Sequence, residues 1–214
     1  WPGVVEKLIQ QGHAVEDQGA MVVYPEGFTD REGKPLGMIV RKSDGGYLYA
    51  TTDLAAAMFR VEQLGADRVI YVIGVPQRQH FDMFTATLRK AGWIDEQVRL
   101  DFVGFGSVLG KDRKMFKTRS GETVRLIDLI EEAEQRAMKI VTEKNPDMPE
   151  PERHEVARVV GIGALKYADL SGDRIKDYVF DFDRMLAMEG NTAPYLQNAY
   201  VRIRSIFRKL DEPA

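Results

Sequence analysis

The sequence predicts an α/β protein whose parallel sheet gives way to an α-helical region, and three observations carry that expectation. Residues 54–105 alternate between helical apolar spacing and short continuous apolar runs, the rhythm of a layered α/β unit. From Thr123 onward the apolar periodicity reads as helical only. Between the two lies a Gly-bounded cationic loop, residues 110–121, directly after a run that reads as a strand. Ligands of open α/β sheets bind outside the carboxyl ends of the strands.

Taken in order, Val4, Val5, Leu8 and Ile9 predict a short helix within the first 18 residues, followed by a polar turn. Ala20–Tyr24 reads as a strand closed by Pro25-Glu26-Gly27, and Leu36–Val40 as a second. Asp44-Gly45-Gly46 is a tight turn, after which Tyr47–Tyr49 is expected to resume as a strand, completing a small antiparallel element. Leu54–Leu64 has helical spacing, with Thr52 or Asp53 as the expected N-cap. Val69–Ile73 reads as a strand buried on both faces, Gln79–Ala91 as a helix and Val98–Phe105 as the next strand. In the second part, Leu126, Leu129, Ile130, Ala133, Ala137 and Ile140 form one stripe. Asn145–Pro151 is a connector, Glu152–Tyr167 a helix, and Asn191–Leu210 a last helix with Asn191 as its expected cap. The predicted division is therefore 1–124 and 125–214.

Composition excludes several classes. A chain of 214 residues with 44% hydrophobic and 29% charged residues can bury a core. Its net charge of −3 argues against a uniformly basic nucleic-acid coat. Cysteine is absent, so there is no disulfide framework and no thiolate nucleophile or metal ligand. No stretch approaches the ~20 apolar residues that span a bilayer, and no membrane partner is expected. Residue 1 is Trp and helical spacing is already under way at Val4, so the chain is expected to be a piece of a longer polypeptide.

The loop carries Lys111, Arg113, Lys114, Lys117 and Arg119 against one acid, Asp112. Two readings fit it: a solvated Lys-rich turn, or cations that neutralise phosphate charge in a transition state. The order Lys114-Met115-Phe116-Lys117-Thr118 resembles the Lys-Met-Ser-Lys-Ser signature of class I aminoacyl-tRNA synthetases, with Phe116 departing from it. Longer strings are similar to arginyl-tRNA synthetases. They include Asp44–Asp53, Tyr71–Gln77, Phe105–Lys111, Phe116–Gly121, Lys166–Leu170, Asp177–Asp183 and Gly190–Gln197.

The resemblance implies the second half of a class I Rossmann-type catalytic domain and the start of a helical anticodon-binding region. It implies activation of L-arginine with ATP and Mg²⁺, then transfer to tRNA(Arg), in a cytoplasmic enzyme that is monomeric when whole. Asp53 matches the carboxylate that meets the guanidinium, with Tyr49 and Gln77 in the same pocket; a permanent, planar cation requires such a carboxylate. His80 matches a residue near ATP, at a helix start where anions are favoured. Val108 and Leu109 match the segment along adenine, and Lys114, Met115 and Lys117 match the triphosphate signature. Lys117 and Lys114 are the expected catalytic cations. Arg202, Arg204 and Arg208 are candidate tRNA contacts or a solvated face. No dedicated metal site is expected, because Mg²⁺ would be held mainly by phosphates.

Each pocket residue also has a plainer reading. Asp53 reads as a helix cap, Tyr49 as a strand aromatic, Gln77 as a loop amide and His80 as a helix-start histidine. The second class I signature, His-Ile-Gly-His, does not occur among His13, His80 and His154. The chain alone is therefore expected to be inactive. The rival expectation is a non-catalytic RNA-binding module derived from a synthetase.

Overall fold

A computed structural model describes residues 2–114 and 125–210. The chain divides into two compact units, 1–105 and 106–214. In the first unit, helix α1 (Pro2–Gln10) buries Val5 and Leu8 completely. Strands β1 (Ala14–Asp17), β2 (Ala20–Val23) and β3 (Met38–Arg41) follow as an antiparallel sheet in the order β1-β2-β3. Gln18 and Gly19 both lie at positive φ, so β1 and β2 form a two-residue hairpin whose turn matches the strand twist. Strand β1, and not Tyr47–Tyr49, completes the antiparallel element.

Tyr49 instead opens helix α2 (Tyr49–Met58), preceded by the extended Leu48. The fully buried Thr51 explains the early start: its hydroxyl donates to the carbonyl of Val40 and ties the first turn to β3. Asp53 therefore lies inside the helix and caps nothing, contrary to the expectation from local sequence. A wider turn, Phe59–Gln63, with i→i+5 hydrogen bonding ends the helix.

Strand β4 (Arg68–Gly74), a 3₁₀ turn (Val75–Gln77), helix α3 (Arg78–Lys90) and strand β5 (Arg99–Phe105) form a parallel βαβ unit, paired from Arg68↔Arg99 to Gly74↔Phe105. Tyr71 and Ile73 pack against the core that contains Phe81, Phe84 and Leu88 of α3. Ile70 and Val72, on the other face, are more than half exposed. The strand is thus not buried on both faces. Its sheet has two strands, and among the described residues only one face is covered.

The second unit begins with β6 (Val108–Leu109) and continues through α4 (Leu126–Lys144) and α5 (Glu150–Leu170). It ends with β7 (Tyr178–Val179), α6 (Phe182–Met185) and α7 (Ala193–Lys209). The expectation of helices only after Thr123 fails at β7, which pairs in parallel with β6. A two-residue strand is too short to show any periodicity. Helices α4 and α5 pack through Ala137, Ala157 and Ala164, and a Cβ on Gly161 would sit 2.9 Å from the Ala133 carbonyl. Thr192, not Asn191, caps α7 by accepting from the Tyr195 amide, while Asn191 accepts instead from the Tyr167 hydroxyl. Among the described residues no helix is long and apolar enough to cross a membrane.

Candidate functional site

In the first unit, α2 and α3 bring Asp53 and His80 together. Asp53 Oδ2 accepts from His80 Nε2 at 2.7 Å across 27 residues of sequence. Asp53 is one helical turn after Tyr49, so the two share a face of α2. Tyr49 is 82% exposed, which removes its reading as a half-buried strand aromatic. Asp53 and His80 keep about a third of their side-chain surfaces exposed, 36% and 32%, and so remain open to a ligand.

The fold places this pair at the carboxyl end of β4. His80 lies in the first turn of α3, three residues after Gln77. Gln77 closes the 3₁₀ turn that leaves β4; its side chain does not cap α3, and it is exposed. Tyr71, on β4, is half-buried and stacks near Phe84 at 5.4 Å. Burial raises the Tyr71 phenol above its ordinary value, the Arg60 guanidinium opposes that rise, and the Asp53 charge adds to it. Arg60 also donates to the Tyr71 hydroxyl at 3.3 Å.

The second unit holds the other candidates. Val108 and Leu109 are half-buried in β6, whose segment is sewn to residues 174–181. Gly106 N donates to Arg174 O at 2.9 Å and Ser107 N to Asp177 Oδ1 at 2.6 Å. A Cβ on Gly106 would lie 2.3 Å from the Lys176 carbonyl, so only glycine permits this approach. Lys111 pairs with Asp181 at 3.0 Å, which raises the lysine above its usual range and lowers the carboxyl. Asp181 also caps α6. Sequence reasoning gave Asp177 and Asp181 no role; a partner 70 residues away leaves no local signal.

Lys114 is exposed, and its carbonyl accepts from Gly110 N at 2.8 Å, closing a turn in which Arg113 takes positive φ. Met115, Lys117 and Arg119 lie outside the described residues. Arg202, Arg204 and Arg208 are exposed on α7. Leu196, Tyr200, Ile203 and Leu210 of that helix are also about half exposed or more.

The chain belongs to the family described as tRNA synthetases class I (R), catalytic domain, whose model matches residues 1–182. Within that class its relatives are arginine-specific by name. It is 55% identical over 210 residues to the arginine–tRNA ligase of Laribacter hongkongensis, covering 98% of this chain and 37% of that protein. The match to the Escherichia coli arginine–tRNA ligase is also 55% identical, over 98% of this chain and 36% of that one. The chain thus spans little more than a third of these relatives' length. Among solved structures it resembles the arginyl-tRNA synthetase of Plasmodium falciparum, with TM-score 0.79 and 32% identity over 97% of this chain and 34% of the other. The Thermus thermophilus arginyl-tRNA synthetase gives TM-score 0.77 and 25% identity, covering 100% and 40%.

Proposed function

We propose that this chain contributes the arginine pocket and part of the ATP site of an arginine–tRNA ligase. The observation that carries the reading is Asp53. It is an ionisable carboxylate inside a helix, relieved of any capping duty and presented at the carboxyl end of a parallel strand. The guanidinium of L-arginine would meet Asp53, with the Tyr49 hydroxyl and the Gln77 amide beside it.

In the reaction, the arginine carboxylate attacks the α-phosphate of ATP. The bond to the bridging oxygen breaks, pyrophosphate leaves, and arginyl-adenylate forms. The terminal ribose hydroxyl of tRNA(Arg) then attacks the activated carbonyl and releases AMP. Positioning and electrostatics supply most of such catalysis. Val108 and Leu109 would lie along adenine with His80 near the nucleotide, and Lys114, Met115 and Lys117 would face the phosphates. Lys114 and Lys117 would carry the transition-state charge. Mg²⁺ would arrive with ATP, held mainly by its phosphates. Arg202, Arg204 and Arg208 would meet tRNA phosphates.

The division at 124/125, into a Rossmann-type half and a helical region, belongs to the same proposal, as do a cytoplasmic setting and a monomeric whole protein. The isolated chain would be inactive, since its three histidines do not form the His-Ile-Gly-His signature. Measurable adenylate formation by the 214-residue chain alone would refute that.

ATP–pyrophosphate exchange with each amino acid, in the presence of tRNA, tests the assignment on the polypeptide as its gene encodes it. Exchange with arginine alone is expected. Asp53→Ala should raise the arginine KM by about 100-fold, as for a charge pair left with one partner, and change the ATP KM far less. Equal effects on both would take Asp53 out of the side-chain pocket. No exchange with any amino acid would favour a non-catalytic RNA-binding role.

A further inference from the structure

We infer that His80 is a positioning residue for arginine selection, holding the plane in which the Asp53 carboxylate meets a guanidinium. The inference rests on the reading of Asp53 given above and moves the main task of His80 from the nucleotide to the amino acid.

A carboxylate offers about four lone-pair sites, and a guanidinium fork engages two of them in one plane. An aspartate on an exposed helix face can rotate that plane. Here it is held from a different element. The carboxylate can only accept, so the 2.7 Å contact requires the hydrogen on His80 Nε2. One lone pair of Oδ2 is thereby used, and Oδ1 has no hydrogen-bond partner that competes with a ligand in the described contacts of this pair.

The imidazole is itself held. It leans on Phe84, with ring centroids 5.5 Å apart and planes at 50°. Phe84 is 1% exposed and packs against Tyr71 at 5.4 Å and Phe81 at 5.3 Å. Orientation thus passes from a rigid aromatic core, through His80, to an oxygen pair on α2 that is still a third exposed. A pair that served only to tie α2 to α3 would gain nothing from this exposure, since exposed ion pairs add little stability. A carboxylate preset for a planar cation gains directly, because holding a binding group in its bound geometry lowers the cost of association.

The test is steady-state aminoacylation by the polypeptide as its gene encodes it, with arginine and ATP varied separately and the thermal midpoint recorded. His80→Ala should raise the arginine KM about tenfold, the size of one hydrogen bond to a charged group. The ATP KM should change far less than the arginine KM, so that the effects on the two substrates separate. His80→Gln, whose amide N–H reaches a similar distance, should recover most of the loss. In an Asp53→Asn background, His80→Ala should add nothing further to the arginine KM. Should His80→Ala fail to fold, the polar His80→Asn carries the same comparison with His80→Gln. Parallel rises in both KM values, or a fall in thermal midpoint with no arginine-specific effect, would overturn the inference and leave a structural tie. An unchanged arginine KM in Asp53→Asn alone would instead overturn the assignment of Asp53, so the two failures are separable.

Discussion

The two units solve the packing problem in opposite ways. The first fills its core with volume: Phe84, Leu8, Leu54, Leu88, Val5, Val23 and Val40 are among the largest fully buried side chains of the described chain. The second removes volume at the α4–α5 seam, beside the buried Phe180, Met185 and Leu186. Its helices α4 and α5 meet over Ala133, Ala137, Ala157, Gly161 and Ala164. The difference follows from the elements to be joined. A helix laid on a sheet face leaves a gap that long side chains must fill, whereas two helices can approach until their backbones touch if small residues line the seam. It also bears on the candidate site. His80 needs a rigid wall, and the large-residue core supplies one in Phe84.

This contrast predicts opposite sensitivities, and the chain carries a convenient pair of probes. Trp93 packs against the core of the first unit, so its fluorescence reports on it, while far-ultraviolet circular dichroism weighs toward the long helices α4, α5 and α7 of the second. The largest effect is expected from Leu54→Ala. Its side chain is wholly buried, and the cavity should cost about 3 kcal/mol in the fluorescence-detected transition. Gly161→Ala should act by excess: the new methyl would meet backbone atoms of Ala133 and Glu134 at 2.9 Å, which cannot rotate away as a side-chain tip would. Forcing the helices apart should cost about 2 kcal/mol, read mainly in the dichroism-detected transition. A silent Gly161→Ala would break the contrast, because the seam would then have slack.

The same contrast explains what the sequence disclosed. The βαβ unit was legible because its apolar runs and helical spacing are long: Arg68–Gly74, Arg78–Lys90 and Arg99–Phe105 each lie close to the expected bounds. The two long helices α4 and α5 were legible for the same reason. The start of α2 was not. Val40 and Thr51 set it through a buried hydrogen bond between elements, which overrides the local preference of Asp53 for a cap. The β1–β2 hairpin turns on Gln18-Gly19, and Gln is a weak turn signal next to Asn or Asp. Within the site, Asp53, Tyr49, Gln77 and His80 were nameable because residue strings around them resemble a family. The bond between Asp53 and His80 was not, since nothing in a linear sequence joins two residues on different helices. The ties of Ser107 to Asp177 and of Lys111 to Asp181 are hidden in the same way.

The smallest expected effect concerns two half-buried phenols and sharpens the comparison at high pH. Burial raises Tyr71 in the first unit, but the Arg60 guanidinium works against it. Burial pushes Tyr178 in the second unit up to about 12, and the charge and hydrogen bond of Asp169 add to the rise. A folded-state value above the unfolded value near 10 means that the fold favours the neutral phenol. The corresponding stability is fully present below pH ~10 and is lost as pH climbs from there through the folded value. At neutral pH neither tyrosine should matter in this respect. Above it, the dichroism-detected transition of the second unit should weaken faster than the fluorescence-detected transition of the first. Tyr178→Phe should flatten that alkaline slope and remove the last phenolate step from the ultraviolet titration. Because Tyr178 is only half-buried, solvent screening keeps the gain modest. Equal alkaline slopes in the two units would show that the Arg60 and Asp169 charges do not set the two phenols apart in solution, and would leave packing volume as the main physical difference between the units.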